Sequence, residues 1–333
     1  MKLEQMPRYP LLCGFTPLQR MENLEQALGC GPLYIKRDDL TPLGLGGNKT
    51  RKLEFLLGDA LAGGADTLVT VGGVQTNHGR LTAAAAAKAG LACTLVLDGA
   101  RPENLSGNLL LDCLLGASLV YTDGRSTSAV IEETLAALQA AGRAPYFIPE
   151  GGSNAVGSAG YLAMVPELLA QADSLPVPPA RLVCTMGSLG TFAGLWLGAR
   201  AFGAPFSVTG VAVNPTTGYT REKAAALVNE MSAAYGLDIA AAPEDMDIIY
   251  ADAAHDYAGP GYNVPDAKTR GAVELLARTE GIFLDPCYTA KSFRGFCDIA
   301  RELDGGAIFV HTGGTPALWT QEHLDAFAAD YWN

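Results

Sequence analysis

The sequence predicts an α/β fold built on largely parallel sheets. From about residue 65 onward, short apolar runs that suit strands alternate with longer segments that have helical spacing. The strand-like runs are apolar throughout, as expected for strands that are covered on both faces. With 333 residues, of which 49% are hydrophobic and 17% charged, the chain is long and apolar enough for two domains or one large α/β unit.

The predicted elements follow one another in the order expected of strand–helix units. Each predicted strand is a short apolar run, and each predicted helix is a longer segment, the first of them rich in alanine. The predicted strands are 67–71, 92–97, 119–122, 145–149, 181–185, 207–213 and 307–311. The predicted helices are 79–89, 107–115, 128–141, 157–172, 191–201, 221–235, 266–280 and 290–303. A cluster of Asp, Ser and three prolines at 172–179 is the best compositional candidate for a domain boundary.

The composition argues against several kinds of partner. A net charge of -12, with no basic run that includes aromatic residues, argues against nucleic acid. No apolar run is long enough to span a membrane, and the first residues lack the pattern of a secretion leader. Seven cysteines without a C-x-x-C pair indicate reduced thiols in a cytoplasmic protein. Four histidines without metal-ligand spacing lead us to expect no bound metal.

The segment 46–54, Gly-Gly-Asn-Lys-Thr-Arg-Lys-Leu-Glu, is the strongest functional signal. Its glycines let the backbone bend closely around a ligand, and helical spacing follows, so Lys49 is predicted at a helix N-terminus. The positive potential at that place and burial both lower the pKa of an amine, which suits a lysine that reacts as a nucleophile. The alternative is a solvated surface lysine after a turn, which is the ordinary state of lysine.

A second motif, 71–80, follows a predicted strand and opens a helix. It contains Gln75, Thr76, Asn77 and His78, which are expected to cluster at the carboxyl end of a parallel strand. Free N–H groups of the helix N-terminus favour an anion there. The alternative is plain N-capping by Thr or Asn, which needs no function.

A third motif, 185–191, places small residues and hydroxyl groups at another strand-to-helix turn. Such a turn makes a nest of N–H groups for one phosphate. It is neither a Walker A loop nor a dinucleotide fingerprint, because the residues that define those motifs are missing. Close packing of a helix on a sheet is the alternative. The candidate phosphate ligands are Gly187, Ser188, Leu189, Gly190 and Thr191.

Two further strand ends carry hydroxyl groups. The segment 284–291 contains Tyr288 and Thr289, and the segment 309–316 contains Thr312. A tyrosine at such a place is suited to donate a proton, although half-buried tyrosines are commonly packing residues. One reactive lysine, one phosphate nest and several hydroxyl groups together describe a small phosphorylated carbonyl cofactor. Pyridoxal 5′-phosphate fits that description and needs no metal.

With these motifs the chain resembles the pyridoxal-phosphate enzymes of the D-cysteine desulfhydrase and 1-aminocyclopropane-1-carboxylate deaminase family. The resemblance covers nearly the whole chain, and the 46–54 segment is highly specific for it. It implies the tryptophan-synthase-β-like fold type II, with two domains that each contain a largely parallel sheet covered by helices. It places a small inserted α/β domain at 52–157 and a large cofactor-binding domain at 1–51 plus 158–333. This division conflicts with the compositional boundary, and we follow the resemblance.

The resemblance also implies roles for individual residues toward the cofactor. Lys49 matches the lysine that forms the Schiff base, and Lys52 matches a contact of the phosphate, beside the 187–191 turn. Asn77 matches the partner of the pyridine 3′-oxygen. Thr312 matches the hydroxyl near the pyridine nitrogen, where a neutral group leaves that nitrogen largely unprotonated.

The remaining roles concern the substrate. Tyr288 matches the active-site tyrosine, and with Lys49 and Thr76 it is an expected catalytic residue. The 1-aminocyclopropane-1-carboxylate deaminases resemble one another in having Glu and Leu where this chain has Thr289 and Thr312, so the desulfhydrase branch is favoured. The family usually has Ser where this chain has Thr76, whose added methyl group is expected to reshape the substrate pocket. The expected substrate-binding residues are Gln75, Thr76, Asn77, His78, Tyr288 and Thr289.

The resemblance therefore predicts a homodimeric lyase that eliminates thiol from a small amino acid. D-cysteine, converted to pyruvate, ammonia and sulfide, is the expected substrate. The alternatives are a lyase that acts on cysteate or 3-chloroalanine, and then 1-aminocyclopropane-1-carboxylate deaminase. An alternative of another class is a protein that binds pyridoxal phosphate as a sensor, without turnover.

Overall fold

The computed structural model describes residues 3–214 and 218–332, which form ten strands, twelve α-helices and five short 3₁₀ turns. The strands are β1 (Leu18–Arg20), β2 (Leu33–Arg37), β3 (Thr67–Gly73), β4 (Ala92–Asp98), β5 (Ser118–Tyr121), β6 (Pro145–Ile148), β7 (Pro179–Met186), β8 (Ser207–Ala212), β9 (Ile248–Ile249) and β10 (Gly306–His311). The helices are α1 (Glu22–Leu28), α2 (Lys49–Ala62), α3 (Asn77–Ala89), α4 (Gly107–Leu114), α5 (Thr127–Ala140), α6 (Ala155–Leu162), α7 (Met164–Ala172), α8 (Gly190–Ala201), α9 (Arg221–Tyr235), α10 (Ala267–Glu280), α11 (Thr289–Glu302) and α12 (Gln321–Trp332). The 3₁₀ turns are Leu3–Gln5, Asp38–Leu40, Glu150–Gly152, Pro243–Asp245 and Thr315–Trp319.

The larger sheet has six strands in the order β1-β2-β10-β7-β8-β9. Its pairings are parallel except for that of β1 with β2. Val310 in β10 pairs with Lys36 in β2 and with Cys184 in β7. This register brings the carboxyl ends of the three central strands to the same edge of the sheet.

The smaller sheet has four strands in the order β5-β4-β3-β6, and all of its pairings are parallel. Its strands lie between residues 67 and 148. They therefore fall inside the 52–157 segment that is predicted to be the small domain. The division into 52–157 and 1–51 plus 158–333, of which residues 1, 2, 215–217 and 333 lie outside the described chain, remains a prediction that this placement supports.

The central strands are buried on both faces, which is why they are apolar throughout in the sequence. All six residues of β10 are buried, and so are five of the seven in β4. The alanine-rich helix α3 packs against β3 and β4, and the first four of its five successive alanines are buried. Small side chains let this helix lie close to the sheet, so that its N-terminus is held firmly at the strand ends.

The predicted strands and helices are present in the structure, with ends within two residues of the predicted ones, except at one helix. The predicted helix 157–172 is wrong, because the structure has two helices there, α6 and α7, that meet at Ala163. Pro166 accounts for the break. It has no N–H to donate to the carbonyl oxygen of Leu162, and its ring clashes with that carbonyl in a continuous helix.

A buried cluster of charges fastens the start of α2 to the large sheet and to α7. Arg51 donates to Asp38 Oδ2 at 2.8 Å and to Glu167 Oε2 at 2.9 Å. Lys36 Nζ also donates to Glu167, and Tyr161 Oη donates to Asp38 Oδ2 at 2.6 Å. Although burial opposes it, the Arg51 guanidinium holds the pKa of Asp38 below its usual range. The backbone that carries Lys49 is therefore anchored two residues further on.

No helix in the described part of the chain is both long enough and apolar enough to cross a membrane. Residues 3–214 and 218–332 contain no group of three or more His, Cys, Asp or Glu side chains placed to hold a metal ion. All seven cysteines are free thiols.

Candidate active site

A pocket lies beyond the carboxyl ends of strands from both sheets. Residues that follow β3, β6, β7 and β10 line it together with the start of α2. About 560 Å³ of space, part of it open to solvent, lies between these residues. Nine of the residues predicted from the sequence line this pocket: Lys49, Thr76, Asn77, His78, Gly187, Ser188, Thr191, Tyr288 and Thr312.

Lys49 is the first residue of α2, as the sequence predicts, and its side chain faces the pocket. The preceding turn requires glycine: Gly46 has φ +75°, and a Cβ on it would lie 1.8 Å from the carbonyl oxygen of Asp39. Burial lowers the pKa of Lys49 to about 8, against the opposing influence of the Glu150 charge. Much of the Lys49 amine is therefore neutral near pH 8 and able to act as a nucleophile or a base.

Lys52 and the start of α8 form a cradle for an anion. Lys52 is fully buried, and its Nζ donates to the carbonyl oxygen of Gly151 at 2.9 Å. Burial and the charge of Lys49 lower the Lys52 pKa well below its usual value. The buried Ser158 hydroxyl has no hydrogen-bond partner among the described residues. A Cβ on Gly190 would lie 2.7 Å from Lys52 Nζ and 2.8 Å from Ser158 Oγ, so only glycine leaves this space open.

Hydroxyl and amide groups continue the cradle around the first turn of α8. Ser153 Oγ donates to Ser188 Oγ at 2.9 Å and accepts from the Gly190 N–H at 3.0 Å. Asn48 Nδ2 donates to Thr191 Oγ1 at 2.9 Å. A buried lysine, a serine hydroxyl that is unpaired among the described residues and a helix N-terminus together suit a phosphate, which brings negative charge and several acceptor oxygens.

Tyr288 stands on a turn that Asp285 shapes. The Asp285 carboxylate accepts the backbone N–H groups of Cys287, Tyr288 and Thr289 at 2.8–2.9 Å. The Tyr288 ring packs edge to face with Tyr262, with ring centroids 5.8 Å apart. Burial, reinforced by Tyr262, raises the pKa of Tyr288 well above its usual value. The Tyr288 phenol therefore stays protonated and can donate a hydrogen bond into the pocket.

Two predicted substrate residues do not line the pocket. Gln75 is buried, and its side-chain oxygen accepts the Asn108 N–H at 2.9 Å. Thr289 is fully buried, and its hydroxyl donates to Asp285 Oδ1 at 2.6 Å. The Gln75 side chain is hydrogen-bonded to the start of α4 and the Thr289 side chain to the Asp285 turn, so neither side chain lines the pocket. Their assigned contact with substrate remains a prediction.

The other predicted residues divide between the pocket and its supporting layer. Thr76 lines the pocket and also caps α3, since its Oγ1 accepts the Gly79 N–H at 3.2 Å. Its contact with a substrate remains a prediction. His78 Nε2 lies 2.8 Å from the Thr70 hydroxyl, and burial lowers the His78 pKa well below its usual value, so the ring is neutral. Lys52, Leu189 and Gly190 lie behind the lining residues, in the cradle described above.

Several residues of the site are absent from the sequence-based set. They are Ser153 and Ser158 in the cradle, Glu150 in the lining, and Tyr262 beside Tyr288. Ser153 had a usable signal, because the run Gly-Gly-Ser-Asn at 151–154 also follows a strand and precedes a helix. Ser158 lies beyond that run, inside the helix α6. Tyr262 had none, since it lies in an irregular stretch far from the strand-end motifs.

The fold and the pocket define an enzyme that holds a small phosphorylated carbonyl cofactor on a lysine. The sequence profile of the family described as "Pyridoxal-phosphate dependent enzyme" matches residues 10–313. The chain belongs to this family of pyridoxal-phosphate dependent enzymes, which confirms the predicted cofactor and the fold type II architecture. Lys49, Lys52 and Ser158 are the groups in this pocket that fit the cofactor.

Relatives with assigned activities resemble the chain over almost its full length. It is 41% identical over 328 residues to a D-cysteine desulfhydrase of Yersinia enterocolitica, covering 96% of this chain and 97% of that one. It is 41% identical over 327 residues to a D-cysteine desulfhydrase of Klebsiella pneumoniae, covering 95% and 97% of the two chains. A crystal structure of an ACC deaminase homologue superposes with a TM-score of 0.88 at 35% identity, covering 98% of this chain and 97% of that chain.

The lowered pKa of Lys49 predicts how uptake of the cofactor depends on pH. If Lys49 is the amine that takes up the cofactor, only its neutral form would react, so the uptake rate of the cofactor-free protein should rise with pH and level off above about 8. Glu150→Gln removes a charge that favours the ammonium form, so it should move the midpoint to lower pH. Stopped-flow absorbance between pH 6 and 10 measures both. A rate that is still rising steeply at pH 10 would show that the Lys49 amine has an ordinary pKa.

Proposed function

We propose that this enzyme is a carbon–sulfur lyase that converts D-cysteine and water to pyruvate, ammonia and hydrogen sulfide. The observation that carries the proposal is the Lys49 amine beside a phosphate cradle, with a lowered pKa that favours its neutral form. The chain that contains it is 41% identical over nearly its full length to a D-cysteine desulfhydrase. Thr289 and Thr312 support this branch, because they stand where the 1-aminocyclopropane-1-carboxylate deaminases resemble one another in having Glu and Leu.

The proposed binding roles follow from the chemistry of each group. Lys52, Ser158 and the first turn of α8 hold the phosphate of the cofactor, whose bound ring system supplies an electron sink for charge that develops at the substrate α-carbon. Thr76 and the N-terminus of α3 bind the substrate carboxylate, because the free N–H groups of a 13-residue helix favour an anion. The phosphate site is at the start of α8 and the carboxylate site is at the start of α3. The first therefore fixes the cofactor and the second fixes the substrate.

The proposed proton transfers use two residues of the pocket. The Lys49 amine accepts the proton from the substrate α-carbon, which its lowered pKa favours. The Tyr288 phenol, held protonated by burial, donates a proton to the departing sulfur. Water then completes the reaction by releasing ammonia and pyruvate, so that one thiol, one ammonia and one keto acid leave for each water consumed.

A substrate panel tests this proposal directly. For the purified holoenzyme we expect kcat/KM for D-cysteine to exceed that for L-cysteine, either cysteate enantiomer and 3-chloro-D-alanine by about 10²-fold or more, as a chiral polar pocket allows. Pyruvate, sulfide and sulfite are assayed in parallel.

Other outcomes of the same panel would replace the proposal. Sulfite from cysteate at the highest rate would make this a sulfo-lyase. Formation of 2-oxobutyrate from 1-aminocyclopropane-1-carboxylate as the best reaction would place the chain with the solved deaminase homologue. A yellow protein that releases no keto acid from any of these compounds would favour a sensor.

We also propose a cytoplasmic homodimer that acts on a small amino acid. The seven free thiols support a reducing compartment. The dimer is supported only by the resemblance described above. The division of the chain into a small domain at 52–157 and a large domain is part of the same proposal, and the four-stranded sheet supports it.

A further inference from the structure

We propose that Arg80 and Asn108 are positioning residues that fix the direction of the Asn77 amide, so that its N–H groups and not its oxygen face the cofactor. The inference takes Asn77 as a cofactor contact, the role that the family resemblance implies, and rests on the proposed function in no other way. Asn77 lines the pocket, whereas Arg80 and Asn108 are fully buried behind it. The three side chains form a chain of hydrogen bonds that leads from α3 through α4 to the pocket.

The direction of this chain is set at its buried end. Arg80 Nε lies 2.7 Å from Asn108 Oδ1. A guanidinium can only donate, so the atom of Asn108 that faces it must be the amide oxygen. The Asn108 amide nitrogen therefore points the other way, and the usual ambiguity between the two ends of an amide is removed by chemistry.

Both N–H groups of the Asn108 amide are used. Its Nδ2 donates to the carbonyl oxygen of Gln75 at 2.9 Å and to Asn77 Oδ1 at 2.9 Å. The backbone N–H of Asn108 donates to Gln75 Oε1, also at 2.9 Å, which fixes the position of the residue as well as its amide. Turning the Asn108 amide over would set a donor against Arg80 and an acceptor against Gln75, so the observed direction is strongly favoured.

The same logic fixes Asn77. Because its Oδ1 accepts from Asn108, its Nδ2 is the end that is free for the pocket. That nitrogen lies near the glycines after β10, where a Cβ on Gly314 would approach it to 2.8 Å. An oxygen anion on the cofactor ring needs a donor and is repelled by an amide oxygen. This relay of hydrogen bonds from Arg80 through Asn108 to Asn77 therefore turns the amide nitrogen of Asn77 toward the pocket before any cofactor binds.

Arg80 joins this relay to the turn that carries Lys49. Its guanidinium also donates to the carbonyl oxygen of Gly46, at 3.2 Å, and to that of Gly44. One buried cation thus holds both the glycine turn before the reactive lysine and the amide that faces the ring. Lys49 and Asn77 lie on different helices, α2 and α3. Arg80 contacts the turn that precedes Lys49 and, through Asn108, the side chain of Asn77.

The variant Asn108→Asp tests whether the Asn108 amide sets the direction of the Asn77 amide. It keeps the size of the side chain and the acceptor for Arg80, but it puts an oxygen where Nδ2 donates to Asn77. Asn77 should then turn its own N–H groups toward residue 108 and its oxygen toward the pocket. We expect the cofactor dissociation constant to rise about tenfold or more, since a hydrogen bond to a charged group is lost. We also expect the visible band of the lysine-bound cofactor to titrate at a higher pH, because the ring oxygen keeps more negative charge beside the titrating nitrogen.

Two comparisons make the result specific. Asn229→Asp makes the same chemical change in α9, where the side chain bonds to the backbone of Ala241 and to no other described residue, and it should leave both readouts unchanged. In an Asn77→Ala background, Asn108→Asp should have no further effect on either readout, because the relay then has no end group. Equal effects of Asn108→Asp with and without Asn77, or no effect in the otherwise normal chain, would overturn the relay. Since neither readout depends on turnover, a wild-type protein that shows the band but does not consume D-cysteine would overturn only the proposed function.

Discussion

Replacing Lys49 with alanine is expected to lower kcat/KM for D-cysteine by at least about 10⁴-fold and to abolish the visible band of the bound cofactor. The side chain has two roles in this account, as the covalent partner of the cofactor and as the base at the substrate α-carbon. Its lowered pKa suits both. Because Lys52 and Ser158 are untouched by the change, the variant should still bind pyridoxal phosphate, but without a covalent bond.

The matched control is Lys88→Ala, which removes an exposed lysine from the last turn of α3. It should retain the band and the activity of the parent protein. An absorbance spectrum and a keto-acid assay on the same preparations measure both properties. A Lys49→Ala protein that keeps the band would mean that another amine carries the cofactor.

Replacing Glu167 with alanine is expected to reduce the free energy of unfolding by about 3–5 kcal/mol, the usual cost of removing one partner from a buried ion cluster. Glu167 is 7% exposed and accepts from Lys36, from both terminal nitrogens of the Arg51 guanidinium and from the Thr16 N–H. Its removal leaves a buried ammonium on Lys36 without a carboxylate partner. Arg51 keeps Asp38, so we expect a destabilised protein and not an unfolded one.

Urea denaturation followed by circular dichroism measures this loss. Glu133→Ala is the control, because its partner Arg125 is exposed and surface pairs contribute little. The control should not change the midpoint measurably. A Glu167→Ala protein as stable as the control would show that the Glu167 carboxylate contributes no more than a surface pair.

The local patterns of the sequence predict most of the fold, because each strand and helix depends mainly on residues near it. The buried strands are recognisable from their apolar runs, and Lys49 is correctly expected at the start of a helix from its glycine turn and the spacing that follows. The break between α6 and α7 had a local signal in Pro166 that the longer helical pattern obscured. The strands β1, β2 and β9 lie outside the predicted set, because they are short or stand apart from the strand–helix alternation.

The supporting layer of the site could not be predicted in this way. Ser158 meets Lys52 across more than a hundred residues of chain, and Asn108 meets Asn77 from another helix, so no spacing in the sequence brings them together. Gln75 and Thr289 show that the position of a residue in a motif does not fix where its side chain lies. Both stand in motifs that flank the pocket, yet their side chains are taken up by hydrogen bonds to Asn108 and Asp285.

The attachment of the cofactor to Lys49 is tested most directly by locating the modified side chain. Borohydride reduction of the wild-type holoenzyme, followed by proteolysis and mass spectrometry, locates the reduced adduct on a single side chain. We predict one phosphopyridoxyl group, on the peptide that contains Lys49. An adduct on Lys52 or on any other lysine, or no adduct at all in a yellow protein, would contradict the central claim that Lys49 holds the cofactor.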